Sequence, residues 1–238
     1  FSYCMIVKEK NQNYIMNQDL INSFEIDYIF ENKPINRFKS KPTIEITNSK
    51  LNDLQIKIKN ISNCELKNNA KQIVFSDGSF KNSIMIVGEG PGQKEDELGK
   101  PFVGDAGQLL NKMLAAINLK RENVYITNVV NYRPPNNRKP EPAEIIRYSE
   151  FLREHISIIE PKILILMGST AMEALFGSKI KISKERGAWK EIIINNKTYL
   201  TIITFHPAYL LRQADQKKYS WADLKKIRKK IDELNIKI

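Results

Sequence analysis

From Ser83 onward the chain alternates short, nearly unbroken runs of branched apolar residues with longer amphipathic stretches, and this alternation constrains the fold more than any other feature. The apolar runs are 84–87, 124–130, 163–167 and 200–205; the amphipathic stretches between them are 106–117, 143–159 and 169–176. Strands buried on both faces of a parallel sheet read as such runs, and the helices that cover the two faces read as the intervening stretches. An α/β layered domain follows. Asp105 precedes a helical pattern with apolar residues at Leu109, Leu110, Met113, Leu114 and Ile117, and Pro161 stops the 143–159 helix before the next strand. Gly187 and Asn195-Asn196 bracket residues 188–194, which form a predicted strand pair with 199–204. A last helix is predicted over 220–234. It has a capping-box spacing at Ser220 and Asp223, apolar residues at Trp221, Leu224, Ile227, Ile231 and Leu234, and a solvated basic back from Lys225 to Lys230. Residues 1–60 show no clear period, are rich in Asn, Lys and Ile, and carry isolated prolines at Pro34 and Pro42. They read as a partly ordered N-terminal extension of unknown role, before a domain spanning 61–238.

Composition narrows the function classes. With 238 residues, 42% of them apolar, the chain can bury a sizeable core, which excludes disorder throughout. No stretch reaches the roughly 18 apolar residues of a membrane helix, and the apolar start at residues 1–7 is too short for a signal-peptide core. A soluble, cytoplasmic protein is expected. Two cysteines, Cys4 and Cys64, exclude a disulfide scaffold and a metal cage built from this chain's thiols alone. The net charge of +11 favours a polyanionic partner such as nucleic acid. Residues 1–60 hold 9 basic and 7 acidic side chains, so most of that excess lies in the later part.

Ligands of an open parallel sheet bind at the carboxyl ends of its strands. Gly88-Glu89-Gly90-Pro91-Gly92 leaves the first strand; its glycines let the backbone approach a ligand and its Glu89 adds a carboxylate. It matches neither the dinucleotide fingerprint nor a phosphate loop. Lys100-Pro101-Phe102-Val103-Gly104 places an aromatic side chain in a loop ahead of a helix. Residues 128–138 follow the second strand and offer Asn128, Arg133, Asn136, Asn137 and Arg138. His206-Pro207 follows the last strand, where proline restricts the histidine's backbone, whereas His155 lies inside an amphipathic helix as a surface or packing residue.

Together, Gly88-Glu89-Gly90-Pro91-Gly92, Glu95-Asp96, Pro101-Phe102-Val103-Gly104, Thr127-Asn128-Val129-Val130, Arg133-Pro134-Pro135 with Asn137-Arg138, and His206-Pro207-Ala208-Tyr209-Leu210-Leu211 resemble a family 4 uracil-DNA glycosylase, in order and in spacing. The resemblance covers residues 61 to about 215. It implies an α/β/α sandwich around a four-stranded parallel sheet, and a monomeric enzyme that excises uracil from DNA to leave an abasic site. The rival reading is a catalytically silent nucleic-acid-binding module of the same fold.

The resemblance assigns a role to each residue type. The target nucleotide is flipped into a pocket. There Phe102 matches the stacking aromatic and Asn128 matches the amide that accepts from uracil N3–H and donates to O4. His206 matches the histidine on the leaving-group side, with Gly88 and Gly90 in the backbone loop beside it. Glu89, Glu95 or Asn137 orients the attacking water; Glu89 is favoured for its place in the first loop, with Asn137 second. Arg138, Pro207, Tyr209, Leu210 and Arg212 are assigned to DNA; Tyr209, Leu210 and Arg212 occupy the arm after the histidine, where an apolar side chain fills the space of the flipped base and Arg pairs a phosphate. One departure stands out. The family holds an iron-sulfur cluster through four cysteines, and the matching positions here are Ile61, Cys64, Tyr132 and Tyr148. One thiolate cannot hold a cubane, so no metal or other cofactor is expected, and the two tyrosines and Ile61 are expected to fill that volume by packing.

Overall fold

The computed structural model describes residues 43–237. Four strands pair in parallel: β1 (Ile84–Gly88), β2 (Tyr125–Asn128), β3 (Ile163–Met167) and β5 (Lys197–Thr204). A fifth strand, β4 (Trp189–Ile194), runs antiparallel on the edge beside β5, giving the order β2-β1-β3-β5-β4. The resemblance implied the four parallel strands; the Asn195-Asn196 signal predicted the added hairpin. Both asparagines sit at positive φ, 49° and 60°, the left-handed pair that a two-residue hairpin turn requires.

Burial explains why the parallel strands are so apolar: every residue of β1, β2 and β3 is buried. Side chains alternate between the faces, as the two-residue strand period demands. Met85, Val87, Leu164 and Leu166 enter one core; Ile84, Ile86, Ile163 and Ile165 enter the other. The first core is closed by α1 (Thr43–Lys59), α2 (Glu65–Asn69), α5 (Pro142–Ile159) and α6 (Ser169–Phe176). The second is closed by α4 (Asp105–Ala115) and α9 (Lys217–Glu233). The result is three layers, helix on sheet on helix. Short helices α3 (Gln93–Leu98), α7 (Ile182–Glu185) and α8 (Pro207–Arg212) occupy the loops.

Two boundaries differ from the sequence reading. Residues 43–59, assigned there to the extension, form α1, whose Leu51, Leu54 and Ile58 belong to the first core. Its weak helical period results from an outer face that carries Ile46 and Ile56, so that apolar residues are spread around the helix. Residues 1–42 lie outside the described residues. The C-terminal helix begins at Lys217, a turn before Ser220, and Trp221 faces solvent. Asp223 does not close a capping box; it is buried against Arg186 and Thr204. A capping-box spacing cannot tell a helix start from a polar tertiary contact, because both need a short acidic side chain one turn along.

The packing of α1 is testable. Leu54→Ala removes a fully buried side chain and is expected to cost about 2–5 kcal/mol in urea unfolding, whereas Ile56→Ala, at 54% exposure, is expected to cost under about 0.5 kcal/mol. Equal costs would show that α1 is not part of the core.

Candidate active site

Parallel pairing delivers the carboxyl ends of β1, β2, β3 and β5 to one edge of the sheet. The register sets Gly88 directly beside Asn128. A cavity of about 700 Å³ opens there. Its walls include Glu89, Gly90, Glu95, Phe102, Asn128, Asn137, Arg138, His206, Tyr209 and Arg212, all predicted from the sequence. Gly88, Pro207 and Leu210 of the predicted set do not line it.

Gly88 nonetheless shapes the site. A Cβ added there would lie 2.4 Å from Asn128 Oδ1 and 2.5 Å from the Phe102 ring, so only glycine lets the amide and the aromatic close over the strand end. Asn128 is 3% exposed, and its Nδ2 is buried without a hydrogen-bond partner. A buried amide donor left unpaired is costly in a folded protein, and this one, in the cavity wall, is able to donate to a ligand acceptor. The rings of Phe102 and His206 lie 5.4 Å apart at 28°, two plates on the same wall.

His206 is the N-cap of α8, and its Nδ1 accepts the backbone N–H of Ala208 at 3.2 Å. With Nδ1 an acceptor, the neutral ring carries its proton on Nε2. Burial, reinforced by the nearby Arg212 charge, pushes its pKa down to about 4. The imidazole at neutral pH is therefore an uncharged donor through Nε2–H.

The carboxylates divide in a way that sequence could not show. Glu95 is consumed by the backbone: Oε1 accepts from Val103 N at 2.9 Å and Gly104 N at 2.7 Å, and Oε2 accepts from Gly92 N at 3.2 Å. It ties the first loop to the Phe102 loop. Glu89 accepts from Thr170 Oγ1 at 2.6 Å through Oε2 alone. Asn137 stands on the opposite loop at positive φ, its Oδ1 taken by Arg133 Nε at 2.7 Å. The guanidinium fixes that amide with its oxygen engaged, which leaves its NH₂ as the open group.

The predicted DNA contacts divide likewise. Leu210 is 1% exposed and belongs to the second core, so it cannot fill a gap in a duplex. The adjacent Leu211 is 49% exposed. One residue along a helix turns a side chain by about 100°, and that decides which leucine faces out. Pro207 is buried in the first turn of α8. Arg138 lines the cavity but forks onto Glu144, with Nη1 and Nη2 at 2.8 and 2.7 Å from its oxygens. Arg212 is exposed on the rim. Sequence reading missed Gly168, Ser169 and Thr170, which follow β3 onto the same edge, and Ile182 and Ser183 on the far wall. The strand-end rule applied to the 163–167 run would have found the first three. His155 is a packing residue, buried under Phe75 with its Nε2 2.8 Å from Tyr125 Oη.

Away from the cavity, Ile61, Cys64, Tyr132 and Tyr148 are all buried in the first core. Cys64 Sγ and Tyr148 Oη share a hydrogen bond at 3.4 Å. Burial pushes both phenols above their ordinary pKa, which keeps them protonated and poor metal ligands. One thiol, two neutral phenols and an alkyl group do not fit an iron-sulfur cluster. Among the described residues no group of three or more His, Cys, Asp or Glu side chains is placed to hold a metal, and no helix is long and apolar enough to cross a membrane.

Comparison with known proteins agrees with this geometry. The Uracil DNA glycosylase superfamily profile matches residues 75–226. The chain is 43% identical to the type-4 uracil-DNA glycosylase of Thermotoga maritima over 157 residues, 66% of this chain and 80% of that protein. It is 37% identical to the type-4 enzyme of Archaeoglobus fulgidus over 181 residues, 74% of this chain and 91% of that protein. With the type-4 enzyme of Sulfurisphaera tokodaii the identity is 42% over 174 residues, 69% of this chain and 77% of that protein. A glycine loop, an amide and a histidine at the carboxyl ends of β1, β2 and β5, an aromatic in the loop ahead of α4, and a matched span that takes in the whole sheet make this chain a member of the uracil-DNA glycosylase superfamily, of its type-4 branch.

Proposed function

We propose that this chain is a monofunctional uracil-DNA glycosylase that hydrolyses the N-glycosidic bond of deoxyuridine in DNA and leaves an abasic site. The observation that carries this reading is the meeting of Phe102, Asn128 and His206 in one cavity, with the Asn128 amide buried and holding an unpaired donor. A catalytically silent DNA-binding module has no use for that arrangement.

Each group has a task set by its surroundings. Phe102 offers a flat apolar face to a base flipped out of the stack. Asn128 donates Nδ2–H to uracil O4 and accepts N3–H, a pair of bonds that cytosine, with an amino group at C4 and no N3–H, cannot make. Bond cleavage leaves negative charge on the departing base, and His206 donates Nε2–H to the base oxygen where that charge gathers. A neutral donor in a low-dielectric wall stabilises the transition state more than the ground state. Glu89, held by Thr170, orients the water that attacks the sugar from the other side; Glu95 has no oxygen to spare for it. Asn137 and the free guanidinium of Arg212 hold the DNA backbone. Leu211, not Leu210, occupies the space left by the flipped nucleotide. The enzyme works as a monomer without a cluster, the packed Cys64, Tyr132 and Tyr148 taking the place of the metal.

Alkali cleavage of a uracil-containing oligonucleotide after incubation with the protein tests the reading. Strand scission at uracil is expected, and its absence rejects the proposal. Loss of the His206 donor in His206→Ala is expected to slow single-turnover excision by about 10²- to 10³-fold while DNA affinity changes little. Because the pKa of His206 is lowered, its neutral form persists as the pH falls below the ordinary histidine value. The excision rate is therefore expected to hold from about pH 7 to about pH 5, through the range in which an ordinary histidine protonates. A rate that climbs over the same descent would assign the work to an imidazolium. Asn128→Asp is expected to erode the preference for uracil over cytosine in paired oligonucleotides; an unchanged preference would mean that another group reads the base. Freshly purified protein is expected to be colourless and free of stoichiometric iron, and visible iron-sulfur absorbance would overturn the packing account.

A further inference from the structure

The aromatic plate in the cavity wall has a strained backbone. Phe102 holds φ at 52°, a left-handed conformation rare for a bulky side chain, and it lies in neither helix nor strand. Something must hold it there. Two opposite charges meet its loop from two directions. Glu95 takes the N–H groups of Val103 and Gly104 just after the aromatic. Arg121, in a single 3-10 turn outside the cavity, takes the carbonyls on the other side of the bend: Nη2 donates to Pro101 O at 2.6 Å and Nη1 to Phe102 O at 2.9 Å. Gly107 completes the clamp. A Cβ there would lie 1.9 Å from Phe102 O, so the first turn of α4 leaves room for that carbonyl only because the residue is glycine.

Arg121 is itself aimed. Its Nε donates to Asp77 Oδ2 at 2.7 Å, and Nη1 also reaches Asn111 Oδ1 at 3.4 Å. Asp77 in turn exchanges both backbone hydrogen bonds with Ile126 of β2, at 2.9 and 2.8 Å. Asn128 is two residues further along that strand. The guanidinium therefore fastens the loop that carries the aromatic to the strand that carries the amide, and it does so without lining the cavity.

We infer that Arg121, oriented by Asp77, is a positioning residue that sets the Phe102 plate at its working distance from Asn128. This rests on the glycosylase reading above for what the plate does, though not for where it is held. A planar fork that spans two adjacent carbonyls while bonding a carboxylate through Nε is a task lysine cannot perform.

The experiment combines a double-mutant cycle with a spectroscopic readout. Arg121→Met is expected to slow single-turnover uracil excision by about 10- to 100-fold, as a small misplacement of a positioning group does, with little change in affinity for abasic DNA. In a Phe102→Ala background the same substitution is expected to cost less than about 2-fold, since the plate it serves is gone. Equal losses in the two backgrounds, or no loss in the first, overturn the inference. In parallel, protein carrying 4-fluorophenylalanine is examined by fluorine NMR, the Phe102 line being assigned with Phe102→Leu. Arg121→Met is expected to broaden or split that line and to leave the other phenylalanine lines in place; an unaltered Phe102 line overturns the inference. Because this second readout needs no excision, it decides the matter even if the wild-type protein fails to release uracil, a result that would sink the functional reading alone. Should Arg121→Met not fold, Arg121→Lys and Asp77→Asn carry the same comparisons, with smaller losses of about 3- to 10-fold expected in the Phe102-containing chain.

Discussion

Parallel pairing of β1 with β2, in the register that sets Gly88 beside Asn128, is the constraint on which the cavity depends. Parallel strands send all their carboxyl ends to one edge, so four loops distant in sequence begin within reach of one another. The absence of a side chain at Gly88 then lets the amide and the aromatic share the space above the strand end. A shift of one residue along β2 would turn Asn128 to the opposite face and bring its apolar neighbour forward. The cost of burying an amide that has an unpaired donor is met by a sheet whose central strands β1 and β3 are wholly apolar and buried on both faces.

A second theme is the use of charge against backbone rather than against solvent. Glu95 spends its carboxylate on three N–H groups, and Arg121 spends its guanidinium on two carbonyls. Hydrogen bonds with one ionised partner are about twice as strong as neutral ones, and in a partly dry site they define loop geometry with few residues. The loops of this edge are therefore held by local electrostatics, while the sheet beneath is held by burial.

Under the proposal of a protein without a cluster, the two tyrosines meet a structural requirement by packing. Tyr132, Tyr148 and Cys64 bury their rings and thiol together in the first core, with one hydrogen bond between Cys64 and Tyr148. Aromatic packing of this kind needs no redox chemistry and no thiolate set. Its contribution is spread over many small contacts rather than concentrated in four bonds.

Much of this protein was legible before any coordinates. Unbroken apolar runs such as 163–167 fit a strand covered on both faces, and the glycine, amide and histidine segments stand at the ends of such runs, with the aromatic in the loop ahead of the next helix. Periodicity and strand-end placement are local properties of the chain, so the layered fold, the edge that carries the cavity and most of its wall could be read from the order of residues. What the tertiary structure alone decided were the choices between near-equivalent neighbours: Leu211 rather than Leu210 facing outward, Glu95 committed to backbone while Glu89 keeps an oxygen free, and Arg121 reaching back to the Phe102 loop. Such choices turn on helix phase and on hydrogen bonds between segments many residues apart. Neither is encoded in composition or spacing, because they depend on where the partner segment comes to rest once the sheet has closed.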